Sequence, residues 1–263
     1  MTSSFIAKFM RDSRSLDIVL VLIGSILLWE AVVRIFDPPA IILPAPSAIW
    51  AAFLQSPWIF IRNMLYTLST TAIAFAISVG LGVILAVGIV QSRFLERTVY
   101  TLLIAVNSVP KVALAPLFVI WLGTGVSSQL AVAVMLAIFP IVINTVLGLR
   151  SVDPDMLNLA KATRASKFDI IYKIRIPNAL PSLFSGMKVG ISFALVGAIV
   201  GEFVAGGRGL GFLVLTAQGQ FDTTRVFVSL VLLGVMGTIL FYAVDVMERI
   251  ALPWHTSQRQ PTT

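Results

Sequence analysis

Long apolar stretches separated by short polar segments dominate the hydropathy pattern of this 263-residue chain. A stretch of about 20 apolar residues is long enough to cross the hydrocarbon core of a bilayer as an α-helix. Windows of that length predict six spans: Leu16–Phe36, Met64–Val90, Val99–Leu122, Ser127–Leu149, Ser182–Val204 and Val226–Met247. We therefore expect an all-α integral membrane protein, with a transmembrane domain at residues 16–250 and flanking segments at residues 1–15 and 251–263.

The polar segment at residues 153–178 has the signals of a helical hairpin between two spans. Asp153 can cap a first helix that has Pro154 at its first position. Ser166 is followed three residues later by Asp169, which is close to a capping box, so a second helix is predicted to begin there. We expect that helix to end at Pro177, because proline does not readily continue a helix.

Proline and glycine positions predict two further features. Asp37–Pro57 contains five prolines and interrupts the apolar pattern, and Ser47 can cap a short interfacial helix within it. Two sets of glycines recur at spacings that let neighbouring helices approach closely: Gly80, Gly82 and Gly88, and Gly186, Gly190 and Gly197.

Charge and composition restrict the class and orientation of the protein. Only 12% of the residues are charged and the mean hydropathy is +0.97, both far from the values of soluble domains. The net charge of +7 does not indicate a nucleic-acid partner, because its distribution follows the positive-inside rule. With the amino terminus inside, the outer segments keep only Arg34, Arg62, Arg208 and Arg225. This predicts cytoplasmic termini and a cytoplasmic hairpin. The first apolar stretch is longer than that of a typical signal peptide and no A-x-A cleavage site follows it, so we expect a retained helix.

The hairpin also matches a known motif. Asn158, Leu159 and Ala160 are followed after three residues by Arg164, and after nine more by Ile174, Ile176 and Pro177. This spacing resembles the cytoplasmic EAA loop of binding-protein-dependent ABC importer permeases, written E-A-A, three residues, G, nine residues, I-x-L-P. Asn158 then stands at the Glu position and Arg164 at the Gly position. That glycine is expected in a left-handed conformation, which a side chain disfavours by roughly 1 kcal/mol.

Four other segments extend the resemblance over most of the chain from about residue 40. They are similar to the nitrate, sulfonate and taurine branch of these permeases: Leu43–Ala48, Val109–Gly125, Phe139–Leu149 and Gly201–Gly211. The resemblance implies the type I permease fold in a bacterial inner membrane, without cofactor or catalytic residues. It also implies that cytoplasmic ABC ATPase subunits contact the hairpin at Asn158, Ala160, Arg164, Phe168, Ile174 and Pro177.

Further partners follow from the same resemblance. A periplasmic or extracellular substrate-binding protein would dock near the loop Gly206–Gly211. Since two ATPases form the usual engine and this chain offers one hairpin, a second permease chain is implied, most simply as a homodimer. The chain has no G-x-x-x-x-G-K-[ST] phosphate loop, so a separate subunit must hydrolyse ATP.

Two ionisable residues in or near the spans are candidates for the translocation path. Lys111 lies within the third predicted span, where an ammonium group costs at least about 2.5 to 3.5 kcal/mol and should face water or a partner. It either lines the path and attracts an anion, or snorkels, or pairs with a carboxylate for structural reasons. Glu202 is a gate residue, a partner of Lys111, or an ordinary interfacial carboxylate.

The sequence leaves the substrate open. The resemblance points to nitrate, taurine and alkanesulfonates, and as an alternative to vitamin precursors or aromatic compounds such as hydroxymethylpyrimidine, riboflavin or phthalate. An ion-coupled secondary transporter is a remote alternative, because few ionisable groups lie in the spans. A membrane-embedded enzyme is disfavoured too, since the spans lack clustered carboxylates or histidines. With no cysteine and only His255 as histidine, we expect no metal site.

Overall fold

A computed structural model describes residues 13–102, 105 and 109–253 of the chain. That part contains helices and no strand, which confirms the all-α fold class. Its longer helices are α1 (Ser13–Phe36), α2 (Pro46–Gln55), α3 (Pro57–Gln91), α4 (Ala115–Leu122), α5 (Val126–Arg150), α6 (Pro154–Ala162), α7 (Ile176–Ala205), α8 (Leu210–Gly219) and α9 (Thr223–Ala251). The terminal segments at residues 1–12 and 254–263 lie outside the described residues.

Five helical stretches of the described chain are long and apolar enough to cross a membrane. They are Val19–Phe36, Pro57–Gln91, Val126–Arg150, Lys167–Ala205 and Thr223–Ala251. These correspond to five of the six predicted spans. The remaining one, Val99–Leu122, includes residues outside the description. Its described end consists of a 3-10 turn at Lys111–Leu114 followed by the eight-residue helix α4.

The structure divides into two compact units. The first comprises the chain as far as Phe60 together with Leu213–Val231, and the second comprises Ile61–Phe212 together with the chain from Leu232. In the first unit, the Glu30 carboxylate of α1 accepts hydrogen bonds from the Ser47 backbone N–H at 3.0 Å and the Ser47 hydroxyl at 2.8 Å. The prediction that Ser47 caps this helix was therefore wrong. The helix begins at Pro46, and Glu30 supplies the negative group at its positive end.

The second unit is built around the close packing of α5 against α7. A Cβ atom on Gly197 would lie 2.5 Å from the Ala133 Cα, and one on Gly190 would lie 2.8 Å from the Ile141 side chain. A Cβ atom on Gly186 would lie 2.9 Å from the Pro140 carbonyl oxygen. A side chain at these points would force neighbouring atoms to move, so the predicted close approach is confirmed at these three glycines. It is confirmed at Gly82 too, where a Cβ atom would lie 2.8 Å from the Ile141 side chain, but it was wrong for Gly80, where a Cβ atom would meet nothing within 4 Å. At Gly88 a Cβ atom would lie 3.3 Å from the Leu95 side chain.

The helix that begins after Ser166 does not end at Pro177, and that prediction was wrong. It runs from Lys167 through a π-helical turn at Ile170–Arg175 directly into α7. Pro177 is the second residue of the new α-helical segment, where its fixed φ is compatible with a helix although it has no N–H to donate to the preceding turn. The π-helical turn thus lets one continuous helix join the polar hairpin to a membrane span.

A cluster of charges ties α9 to α7 within the second unit. The Lys188 ammonium of α7 contacts the Asp245 carboxylate and lies 2.6 Å from the Glu248 carboxylate, both on α9. Arg249 also contacts Asp245, at 2.9 Å. Lys188 is mostly buried, so two opposite charges are needed to offset the desolvation of its ammonium group.

Candidate functional site

Local hydrogen bonds cap the beginning of each helix of the hairpin, as the sequence predicts. The Asp153 carboxylate accepts a hydrogen bond from the Asp155 backbone N–H at 2.8 Å, which caps α6. The Ser166 hydroxyl oxygen accepts one from the Asp169 backbone N–H at 3.1 Å, and the hydroxyl also donates to the Asp169 carboxylate. Both predicted caps are confirmed, so the two halves of the hairpin begin at defined residues.

The turn between the two halves uses a left-handed residue, as the family glycine would. Arg164 has φ +57°, and its N–H bonds the Lys161 carbonyl at 3.0 Å. The Ala165 N–H bonds the Ala160 carbonyl at 2.9 Å. These two bonds form a Schellman motif at the end of α6. Arg164 therefore keeps the family's turn and bears the strain of a side chain there.

The hairpin presents large apolar side chains to its surroundings. Met156 and Leu159 on α6 are exposed, as are Phe168 and Tyr172 in the second half. The Phe168 and Tyr172 rings lie 4.1 Å apart between centroids. Sequence reasoning missed Tyr172, although its spacing of four residues from Phe168 places both rings on one helix face. We call these four residues the apolar face of the hairpin.

The other predicted coupling residues divide by exposure. Asn158 and Pro177 are exposed, as is Arg164, whereas Ile174 is partly buried and Ala160 is buried. The Ala160 carbonyl accepts the Ala165 N–H in the turn described above, so its position in the motif serves the hairpin's own fold. Asn158 and Pro177 remain available to a partner.

Lys111 lines a cavity of about 370 Å³ in the second unit. Its ammonium group stands 4.4 Å from the centroid of the Phe139 ring, a cation–π arrangement. Phe193 and Ile143 line the same cavity, and the Phe193 side chain is exposed. The cavity thus combines one cation with aromatic and aliphatic walls.

Glu202 is fully buried and organises the loop between α7 and α8. Its carboxylate accepts a hydrogen bond from the Gly211 N–H at 2.7 Å, and the Thr67 hydroxyl lies against it. A Cβ atom on Gly209, which has φ +107°, would lie 2.2 Å from the carboxyl carbon. Lys111 is not among the groups that contact this carboxylate. The geometry therefore makes Glu202 an internal support of the glycine-rich loop.

Comparison with known proteins identifies the family of this chain. A family model described as the binding-protein-dependent transport system inner membrane component matches residues 78–253. This chain belongs to that family. The permease is 33% identical to a formylaminopyrimidine transport permease protein of Halalkalibacterium halodurans, over 94% of this chain and 99% of the relative. It is 34% identical to a riboflavin transport system permease protein of Chloroflexus aurantiacus, over 95% of this chain and 93% of the relative.

A solved structure supports the fold of the permease. An inward-facing methionine ABC transporter superposes with a TM-score of 0.66 at 19% identity, covering 74% of this chain and 97% of the matched chain. The permease therefore has the type I importer fold that the sequence predicts. It is a membrane-spanning transport subunit and not an enzyme, because in ABC importers a separate ATPase hydrolyses ATP.

Proposed function

We propose that this permease forms the translocation path of an ATP-driven, binding-protein-dependent importer, and that its hairpin couples the path to ATP hydrolysis. The apolar face of the hairpin carries the proposal. Phe168 and Tyr172 are both more than half exposed, and their rings, tilted against each other with centroids 4.1 Å apart, form a preformed anchor on the polar hairpin. Aromatic side chains that become buried on binding often dominate the energy of a protein interface. A cleft in the ATPase that buries these two rings is therefore the expected partner.

Orientation and assembly follow from the same proposal. The hairpin faces the cytoplasm and both termini are cytoplasmic, which the distribution of basic residues supports. Two copies of the permease pair around a shared path, since each chain offers one hairpin and the engine has two ATPases. The binding protein docks on the opposite side, near the loop that Glu202 supports.

Native mass spectrometry of the permease purified with its ATPase tests this assembly. We expect the mass of an intact complex of two permease chains and two ATPases. A complex that always contains one copy of this chain with a different permease would contradict the homodimer and leave the coupling role in place.

For the substrate, we propose a small planar heteroaromatic compound, in the class of the pyrimidine and flavin solutes named for the two relatives. The cavity beside Lys111 supports this choice. Phe139 and Phe193 supply aromatic surface for a planar ring, and the Lys111 ammonium supplies a donor for a carbonyl oxygen or ring nitrogen.

A small anion such as a sulfonate is the second candidate, and the same lysine favours it. The Lys111 ammonium is the charged group that lines this cavity, and a charge-assisted hydrogen bond to a sulfonate or carboxylate needs no aromatic wall. The heteroaromatic candidate therefore needs the Phe139 and Phe193 rings, and the anionic candidate does not.

Uptake into liposomes that contain permease, ATPase and binding protein separates them. Lys111→Ala should lower kcat/KM for either substrate by roughly tenfold, which is the effect of one hydrogen bond to a charged group. Lys111→Arg should retain part of the transport activity, because the charge is kept. Phe193→Leu should lower uptake of a heteroaromatic substrate only. Unchanged uptake in Lys111→Ala would remove this cavity from the path, and uptake of an alkanesulfonate that Phe193→Leu leaves intact would favour the anion.

A further inference from the structure

A second cavity lies between the hairpin and the end of α3, and three cations line it. Its volume is about 220 Å³, and Lys161, Lys167 and Arg175 contribute to its walls together with Gln91. Lys161 comes from the first half of the hairpin and the other two cations come from the second half. The cavity thus gathers positive charge from both halves at one place.

Two carboxylates of the surrounding segments pair with groups outside the cavity. Asp169 contacts Ser166 and forms an ion pair with Lys173 at 2.6 Å, and Glu96 pairs with Arg150 at 2.7 Å. No carboxylate of the described residues forms an ion pair with Lys161, Lys167 or Arg175. Three like charges around one cavity repel one another, so an anion from outside the chain would stabilise them.

The remaining walls and the position of the cavity indicate which anion. Val90, Leu157, Ile170 and Ile171 give the cavity an aliphatic side. Gln91 is the last residue of the membrane-spanning helix α3, so the cavity lies at the boundary between hydrocarbon and water. Basic pockets next to transmembrane helices on the cytoplasmic side bind the headgroups of anionic lipids.

We propose that this cavity binds the phosphate diester headgroup of an anionic phospholipid of the cytoplasmic leaflet. The phosphate contacts the three cations, and the start of the lipid chains follows the aliphatic wall toward the membrane. A bound lipid joins the hairpin to the end of α3 and so braces the segment that receives force from the ATPase. The proposal rests on the cytoplasmic orientation given under the proposed function.

Lipid binding to the purified full chain in neutral detergent tests the proposal. Native mass spectrometry would follow titration with dioleoyl phosphatidylglycerol and, separately, dioleoyl phosphatidylcholine. Lys161→Gln/Arg175→Gln should raise the half-saturating concentration of phosphatidylglycerol about 30-fold, since each basic residue near a membrane surface contributes a factor of about five. Arg164→Gln/Lys173→Gln removes the same charge from the same hairpin outside the cavity and should leave that concentration close to the parent value.

Three results would overturn the proposal. Equal binding of the two lipids, or equal weakening in both double variants, would mean that no headgroup site exists at the cavity. Displacement of phosphatidylglycerol by inorganic phosphate at similar concentration would assign the cavity to a free anion. Its complete displacement by added ATPase would assign the cations to carboxylates of that partner.

The cytoplasmic orientation of the hairpin is tested by thiol labelling, independently of lipid binding. The chain has no cysteine, so Asn158→Cys introduces a single thiol on the exposed surface of the hairpin. A membrane-impermeant maleimide should label it only in inside-out vesicles. Labelling from the outside would contradict the proposed function, whereas cytoplasmic labelling without selective phosphatidylglycerol binding would overturn the lipid site alone.

Discussion

At the residue scale, Arg164 adopts the left-handed turn that is expected of a glycine at its position. Its φ of +57° and the two hydrogen bonds of the Schellman motif are those expected of glycine at the same place. Left-handed backbone costs a residue with a side chain about 1 kcal/mol. The hairpin therefore carries a strain at its turn that a single substitution can remove.

Arg164→Gly should raise the free energy of unfolding by a few tenths to about 1 kcal/mol, because glycine adopts this conformation without strain. Thermal unfolding of the purified chain in detergent measures the effect. Assembly with the ATPase should persist. Loss of that assembly in a variant that folds normally would show instead that the guanidinium group makes a required contact.

Two glycines of the loop after α7 form a matched pair for testing the role of Glu202. Gly209→Ala places a Cβ atom 2.2 Å from the buried carboxyl carbon at φ +107°, whereas a Cβ atom on Gly207 meets nothing within 4 Å. Gly209→Ala should lower the free energy of unfolding by about 2 to 4 kcal/mol, and Gly207→Ala by less than about 0.5 kcal/mol. Equal effects in the thermal unfolding of the two variants would show that Glu202 does not constrain this loop.

Sequence reasoning succeeded for single residues where the partner is close in the chain. The caps at Asp153 and Ser166 are local, because each side chain bonds a backbone N–H two or three residues away. It failed for Glu30, whose hydrogen-bond partner Ser47 lies seventeen residues away. It also gave no sign that Glu202 supports a loop, since this depends on contacts with Thr67 on another helix.

At the element scale, the joint between hairpin and membrane span depends on the π-helical turn. A proline after an amphipathic helix normally indicates its end, and the sequence has no signal for a π-helical turn that moves the proline into a first turn. The same limit applies to Val99–Leu122. Pro110 and Pro116 are visible in the sequence, but no sequence signal distinguishes the 3-10 turn between them from a continued α-helix.

The charge cluster between α7 and α9 should stabilise the second unit. Lys188→Met leaves the Asp245 and Glu248 carboxylates without their shared ammonium group, so the free energy of unfolding should fall by about 3 kcal/mol. Arg249→Met removes an exposed partner of the same Asp245 and should cost less than about 1 kcal/mol. Unfolding by denaturing detergent compares the two. If Lys188→Met is as stable as Arg249→Met, the cluster does not hold these helices together.

At the scale of the whole molecule, the resemblance of ordered motifs predicted the family and the fold before any coordinates. Hydropathy alone located five of the spans, because a bilayer imposes a fixed length on each helix. The substrate could not be predicted in this way. Under the proposed function, a few side chains around the cavity at Lys111 select it, and a binding protein on another chain delivers it.

The central claim, that the apolar face of the hairpin couples this permease to ATP hydrolysis, is tested most directly by substrate uptake into liposomes containing permease, ATPase and binding protein. Phe168→Asp should lower uptake by about 30-fold or more, the loss of one interface anchor. Asn158→Glu adds the same charge to the same hairpin and restores the family's carboxylate, so its uptake should equal or exceed that of the parent. Normal uptake and substrate-stimulated ATP hydrolysis in Phe168→Asp would contradict the claim.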